Sequence, residues 1–245
     1  MADKISSKWY SPRLHTEVLS VRYGHDGAPV LLFPTAGGDA EESERFLMMK
    51  VLAPLLDAGR IRVYACDSVA GRAWISGEHS GAYKARVQNL FNDFIVHELV
   101  PAIQMDCRSR EIEIIAAGAS IGAFNALSTI CRNPALFRLA ICMSGTYDFS
   151  RWMGGQHTSD LHNVSPLHFV PYLEEGSEQL RRLRQRMIIL PTGEGRWEAP
   201  NESWMVAHVL GARGIPNRVD LWGKDYDHDW VTWRDMLPKY LAEHA

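Results

Sequence analysis

Glu113-Ile114-Ile115-Ala116-Ala117-Gly118-Ala119-Ser120-Ile121-Gly122-Ala123, running on into Phe124-Asn125-Ala126-Leu127-Ser128-Thr129-Ile130-Cys131, decides how the rest of the chain is read. The opening run is apolar and reads as a buried strand. The stretch from Phe124 has neither Gly nor Pro and reads as a helix. Between them lies a G-x-S-x-G pentapeptide. A turn this tight needs residues almost free of side chain two before and two after the serine, and it lifts the Ser120 hydroxyl into a cleft. Chance alone supplies such pentapeptides in some chains, since Gly and Ser are common residues. The strand-to-helix junction is what gives this one weight.

Outward from the junction, strand-like and helix-like patterns alternate almost to the end. Glu17 to Tyr23 and Ala28 to Phe33 read as an antiparallel pair joined by Gly24-His25-Asp26-Gly27. Glu41 to Ala58 reads as a helix closed by Gly59, and Ile61 to Cys66 as a short strand. Apolar residues from Val87 to Ile103 recur every three to four positions, which predicts a helix over Tyr83 to Met105, with Pro101 as a kink or division. Strands follow at Leu139–Met143, Met187–Leu190 and Arg218–Trp222, with helices at Glu202–Ala212 and Trp230–Leu241. A long connection holding Gly, His and Ser runs from Ser144 to Leu173. Alternation of this kind predicts a mostly parallel central sheet with helices on both faces. No repeat or linker interrupts it, so residues 1–245 read as one α/β domain.

The 245 residues suffice for a large core without staples, and 46% are hydrophobic, as in ordinary globular proteins. Net charge is −3 with no run of like charges, which points away from nucleic acid and anionic membrane surfaces as partners. The four cysteines are widely spaced without a C-x-x-C pair and read as buried free thiols. The start, Met1-Ala2-Asp3-Lys4, has no apolar signal region and no run is long enough to span a membrane, so a cytoplasmic location is expected. A homo-oligomer stays open.

The junction resembles the nucleophile elbow of α/β-hydrolases. A serine hydroxyl is a weak nucleophile until a base takes its proton, and the base needs a carboxylate to hold its tautomer. In α/β-hydrolases the acid and then the histidine follow the serine in chain order, each after a strand. Of ten histidines, His228 sits on the loop between the last strand and the last helix, where the base belongs. The acid belongs after Met187–Leu190, in Pro191-Thr192-Gly193-Glu194-Gly195-Arg196-Trp197-Glu198. Many hydrolases carry Asp three residues after the glycine, where this chain has Arg196. Glu198 and Glu194 remain, and Glu198 is preferred because it lies deeper in the loop, beyond the turn that Gly195 permits. For the oxyanion, one donor is expected from the backbone N–H of Ile121. The other is expected from Phe33-Pro34-Thr35-Ala36-Gly37-Gly38, with Ala36 ahead of Thr35.

With these pieces in place the chain resembles the putative-esterase branch of the α/β-hydrolases, the group of esterase D-type enzymes and feruloyl and acetyl-xylan esterases. The resemblance rests on residues 33–38, 118–123, Ser144-Gly145-Thr146-Tyr147-Asp148, Asn163-Val164-Ser165-Pro166, and His228-Asp229-Trp230 with Trp233 and Pro238. Small bacterial esterases with a Gly-x-Gly-x-Trp-Glu segment are most alike, matched by Gly193 to Glu198. The resemblance implies a mostly parallel α/β-hydrolase sheet without a large lid, and hydrolysis of a small-molecule carboxylic ester with no metal or organic cofactor. Ser120, His228 and a glutamate would form an acyl-enzyme on short or soluble acyl esters. Tyr147, Trp152, Met153 and His157 are the expected pocket wall, with Trp74 a second candidate. An acyltransferase or thioesterase on the same scaffold, or a binding protein that has lost activity, are the competing readings.

Overall fold

The computed structural model describes residues 3–245. Eight strands form one sheet: β1 (Lys4–Ser11), β2 (Thr16–Tyr23), β3 (Ala28–Phe33), β4 (Ile61–Cys66), β5 (Ile114–Ala119), β6 (Phe137–Met143), β7 (Met187–Thr192) and β8 (Asn217–Leu221). Their spatial order is β1-β2-β4-β3-β5-β6-β7-β8. The pairs β1/β2 and β2/β4 are antiparallel, and all pairs from β4 to β8 are parallel. The expected mostly parallel sheet is present.

One sequence expectation fails here. The segments at 17–23 and 28–33 do not pair with each other, because β4 lies between them. Gly27 explains the path. Its φ is +92°, and a Cβ added there would stand 2.2 Å from the Arg60 carbonyl carbon. Ala28 N–H donates to the Arg60 carbonyl at 2.9 Å. The loop therefore passes tight against the entry to β4 instead of closing a hairpin. All six residues of β4 are buried, and such a strand needs ladder partners on both edges.

The expected helix over 41–58 is broken at Leu47, whose φ of +64° separates Glu42–Arg45 from Met48–Asp57. The helix expected over 83–105 is one rod with an altered middle. Gly81–Phe94 and Val100–Asp106 are α-helical, and Ile95–Leu99 is π-helical, with Val100 N–H donating to the Ile95 carbonyl. The wider turn carries the rod into Pro101, which has no N–H to return to the previous turn.

Period-two alternation sorts the strand side chains between two apolar layers. Leu31, Phe33, Ala116, Cys142 and Leu190 face one layer, with Phe91, Phe94 and Phe124. Val30, Leu32, Ile115, Ala117, Ile141 and Ile189 face the other, with Leu52, Leu56, Leu237 and Leu241. Since β3 and β5 to β8 run parallel, the loops leaving them gather at one end of the sheet.

A buried polar chain ties the first layer to that end. Trp74 Nε1 donates to Gln88 Oε1 at 3.0 Å, and Gln88 Nε2 donates to Asn125 Oδ1 at 2.8 Å. Gln88→Leu would strand the indole N–H and the Asn125 carbonyl, each costing about 1–3 kcal/mol. Urea unfolding of this variant is expected to show a lower midpoint at unchanged slope.

Candidate active site

Ser120 stands at the end of β5 with φ +58° and ψ −122°, and the helix Ile121–Arg132 begins at the next residue. A positive φ is costly for a residue with a Cβ, on the order of 1–3 kcal/mol, and persists only where the surroundings impose it. Here they do. A Cβ on Gly118 would lie 2.3 Å from the backbone of Gly122, and one on Gly122 would lie 2.6 Å from the Phe33 carbonyl oxygen. The two glycines of the motif thus let the turn close on itself and against the exit of β3. Ser120 remains partly exposed while residues 121–131 behind it are buried.

The loop after β3 is pinned from beneath. Thr35 N–H and Oγ1 donate to the two oxygens of Glu42 at 2.7 and 2.5 Å. Arg72 Nη1 donates to the Gly38 carbonyl at 3.1 Å, and a Cβ on Gly71 would stand 2.7 Å from the Ala36 carbonyl oxygen. Thr35 N–H, the second-choice oxyanion donor, is therefore committed to Glu42. Ala36 and Ile121 N–H have no acceptor among the described residues.

Glu198 has a side chain only 1% exposed. Its Oε1 accepts from Ser144 Oγ at 2.5 Å and its Oε2 from Thr192 Oγ1 at 3.0 Å. Oε2 also faces His228 Nδ1 at 3.8 Å, an ion-pair distance beyond a formed hydrogen bond. The His228 ring meets Trp233 edge-to-face, centroids 5.2 Å apart. Glu194, the alternative acid, is exposed, and its N–H is bound to the Gly223 carbonyl at 2.9 Å.

The loops carrying Glu198 and His228 are stitched together. Gly195 N–H donates to the Tyr226 carbonyl and His228 N–H to the Arg196 carbonyl, both at 3.0 Å. Cβ atoms at Gly193 and Gly195 would stand 2.0 Å from the Tyr226 carbonyl oxygen and 2.4 Å from Asp227 Oδ1, so Gly-x-Gly permits the approach. Arg196 occupies the place where many hydrolases carry Asp. It donates to Asp227 from its backbone N–H at 2.7 Å and from Nε at 2.8 Å. The Arg196 N–H first, and its guanidinium second, hold the Asp227 carboxyl below the usual carboxylate range.

The pocket expectations fare worse. Trp74, Tyr147 and Met153 are 0%, 1% and 2% exposed, and all belong to the apolar layer. They are core, not pocket wall. Tyr147 shows it chemically, since burial pushes its phenol well above its ordinary range. Trp152 is partly exposed, with the Arg151 guanidinium 4.0 Å over its ring. His157 is exposed and lines a separate hollow of about 300 Å³ with His162, His168 and Tyr172, to which Ser120, Glu198 and His228 do not contribute. Sequence reasoning missed the Glu42 anchor, the hydroxyls on Glu198 and the Arg196–Asp227 clamp. The Gly-x-Gly spacing was the one signal for the last. Among the described residues no group of three His, Cys, Asp or Glu could hold a metal ion. Among the described residues no helix is long and apolar enough to cross a membrane.

The chain matches the family described as "Putative esterase" over residues 59–244. It belongs to that family. Its activity class is therefore ester hydrolysis. A search of curated proteins found no match. Among solved structures, a ferulic acid esterase superposes with a TM-score of 0.75 at 16% identity, covering 98% of this chain and 96% of its own. An S-formylglutathione hydrolase from Agrobacterium tumefaciens gives 0.73 at 14% identity, covering 98% and 94%. The enterobactin esterase FES from Shigella flexneri gives 0.69 at 18% identity, covering 99% of this esterase and 58% of its own chain. Likeness at these identities establishes the fold, which is that of the α/β-hydrolases.

Two outcomes are expected. Gly122→Ala drives a methyl into the Phe33 carbonyl and shifts the elbow, so esterase activity falls by about 100-fold in protein whose far-ultraviolet circular dichroism still shows the sheet. Asp227→Asn tests the clamp. The depressed carboxyl stabilises the folded state above its unfolded pKa of about 3.9, and this is lost as pH falls through the folded value. Thermal midpoints of wild type and variant should differ at pH 7 and converge below pH ~4.

Proposed function

We propose that this esterase works through a Ser120–His228–Glu198 triad and an acyl-enzyme. The observation that carries the reading is the buried Glu198 carboxylate facing His228 Nδ1 at 3.8 Å, while Glu194 lies exposed outside that pairing. A carboxylate at Nδ1 keeps the proton there and leaves Nε2 free to accept. The 3.8 Å separation shortens as positive charge builds on the imidazole, as is common when substrate-free triads engage.

Ser120 Oγ attacks the ester carbonyl carbon, its proton passes to His228 Nε2, and the carbonyl π pair moves onto oxygen. Ile121 and Ala36 N–H receive that oxyanion, their freedom from other acceptors leaving them available. Collapse of the intermediate breaks the ester C–O bond, and the leaving alkoxide takes the proton from Nε2. Water, deprotonated by His228, then attacks the acyl-enzyme and releases the acid and Ser120.

The substrate is a small, soluble acyl ester. The connection from 144 to 173 forms only short helices, Ser150–Met153, Ser159–Val164 and Pro166–Phe169, not a separate lid. The structural neighbours named for ferulate and S-formylglutathione make feruloyl esters and acyl thioesters the first compounds to try beside p-nitrophenyl acetate and butyrate.

Ser120→Ala is expected to lower p-nitrophenyl ester turnover by about 10⁴-fold or more, and Glu198→Gln by about 10⁴-fold. Glu194→Gln should stay close to wild type. Wild-type turnover in Ser120→Ala would refute the mechanism, and a loss confined to Glu194→Gln would move the acid to that residue.

A further inference from the structure

We propose that Ser144 is a positioning residue that sets the rotation of the catalytic carboxylate, and that Trp233 sets the direction of the Ser144 proton. The proposal rests on Glu198 being the triad acid. It adds a hydroxyl whose hydrogen bonds among the described residues are to Glu198 and Trp233, not to Ser120 or His228.

Ser144 follows β6 directly, is 2% exposed and has φ +45°. Its N–H donates to the Pro191 carbonyl of β7 at 2.8 Å, which fixes the residue beside the loop that carries Glu198. Its Oγ lies 2.5 Å from Glu198 Oε1 and 3.0 Å from Trp233 Nε1. An indole N–H can only donate, and an ionised carboxylate can only accept. The single Ser144 proton therefore points at Glu198, because Trp233 occupies the acceptor side. The other hydroxyl on Glu198 has no such direction. Thr192 Oγ1 lies 3.0 Å from Glu198 Oε2 and 3.2 Å from the Gly193 carbonyl, one proton between two acceptors.

The consequence for the carboxylate is rotational. Once Oε1 is tied to Ser144, Oε2 is the oxygen left opposite His228 Nδ1. Trp233 touches both ends of this arrangement, since its ring also packs edge-on against His228. The turn that carries Ser144 is itself fixed. Thr146 N–H donates to the Ser120 carbonyl at 3.3 Å, and Asp148 N–H to Glu202 Oε2 at 2.9 Å. Tyr147 N–H donates to the same Glu202 oxygen. One short turn thus braces the nucleophile and the acid against each other.

The test is p-nitrophenyl butyrate kinetics on Ser144→Ala, Trp233→Phe, Glu198→Gln and the Ser144→Ala/Glu198→Gln double variant, each with a thermal midpoint. A hydrogen bond to a charged group is worth about 10- to 100-fold in rate when it acts in the transition state. Ser144→Ala should lower kcat by that factor with KM nearly unchanged. Trp233→Phe keeps a ring against His228 but loses the N–H, and should lower kcat in the same way by a smaller factor. In the Glu198→Gln background the Ser144→Ala loss should nearly vanish, because the group it positions is gone. Wild-type kcat in Ser144→Ala, or an undiminished loss on top of Glu198→Gln, overturns the positioning role. Should Ser144→Ala fail to fold, Trp233→Phe decides, and wild-type kcat there overturns the proposal. Wild-type kcat in Glu198→Gln marks instead the failure of the triad reading.

Discussion

Backbone crosses backbone at Gly122, and the distance there sets where everything else in the site can stand. The start of the helix behind Ser120 sits so close to the Phe33 and Pro34 carbonyls that a single methyl would collide with them. This contact brings the exit of β3 beside the apex of the elbow. It sets Gly122, next to Ile121, against the strand end that leads into Ala36, two stretches far apart in sequence. Had the residue at 122 carried a side chain, the turn would open and the loop after β3 would withdraw.

A second close approach operates on the other side of the elbow. The loops after β7 and β8 meet through backbone hydrogen bonds, with Gly193 and Gly195 making room. Arg196 and Asp227 lock the meeting point, one residue before His228 in the chain. Arg196 fastens the two loops, and the buried carboxylate two residues on is that of Glu198. The two loops therefore hold Glu198 and His228 near each other through contacts that are largely backbone.

How much of this was legible depended on the range of the signal. Ser120 and His228 could be proposed as nucleophile and base because a strand-turn-helix pattern and a loop between strand and helix are local features. Glu198 was legible only as a preference over Glu194, and a side chain 1% exposed against an exposed Glu194 supports that preference. The strand order was not readable. Nothing in residues 17–33 announces that β4, about thirty residues later, inserts between two neighbouring strands, since that is decided by which edges burial leaves unpaired. The aromatic residues misled for a related reason. Trp74 and Tyr147 flank the site in sequence, but a large ring near a catalytic motif is as useful for packing as for binding, and only burial separates the two. Ser144 carried no local mark of its partner, because Trp233 and Glu198 meet it only when β6, β7 and the last helix are in place.

Six non-glycine residues adopt positive φ among those described, and Ser120, Ser144 and Trp197 are three of them. Trp197 is also 79% exposed, so almost no packing repays its conformation. The end of the sheet that carries the proposed site is thus locally frustrated, held in shape by the stability of the strands behind it. An enzyme built this way has a ready exchange between robustness and rate. Relaxing those backbones with glycine would make the fold easier to keep, and would loosen the geometry for which the strain is retained.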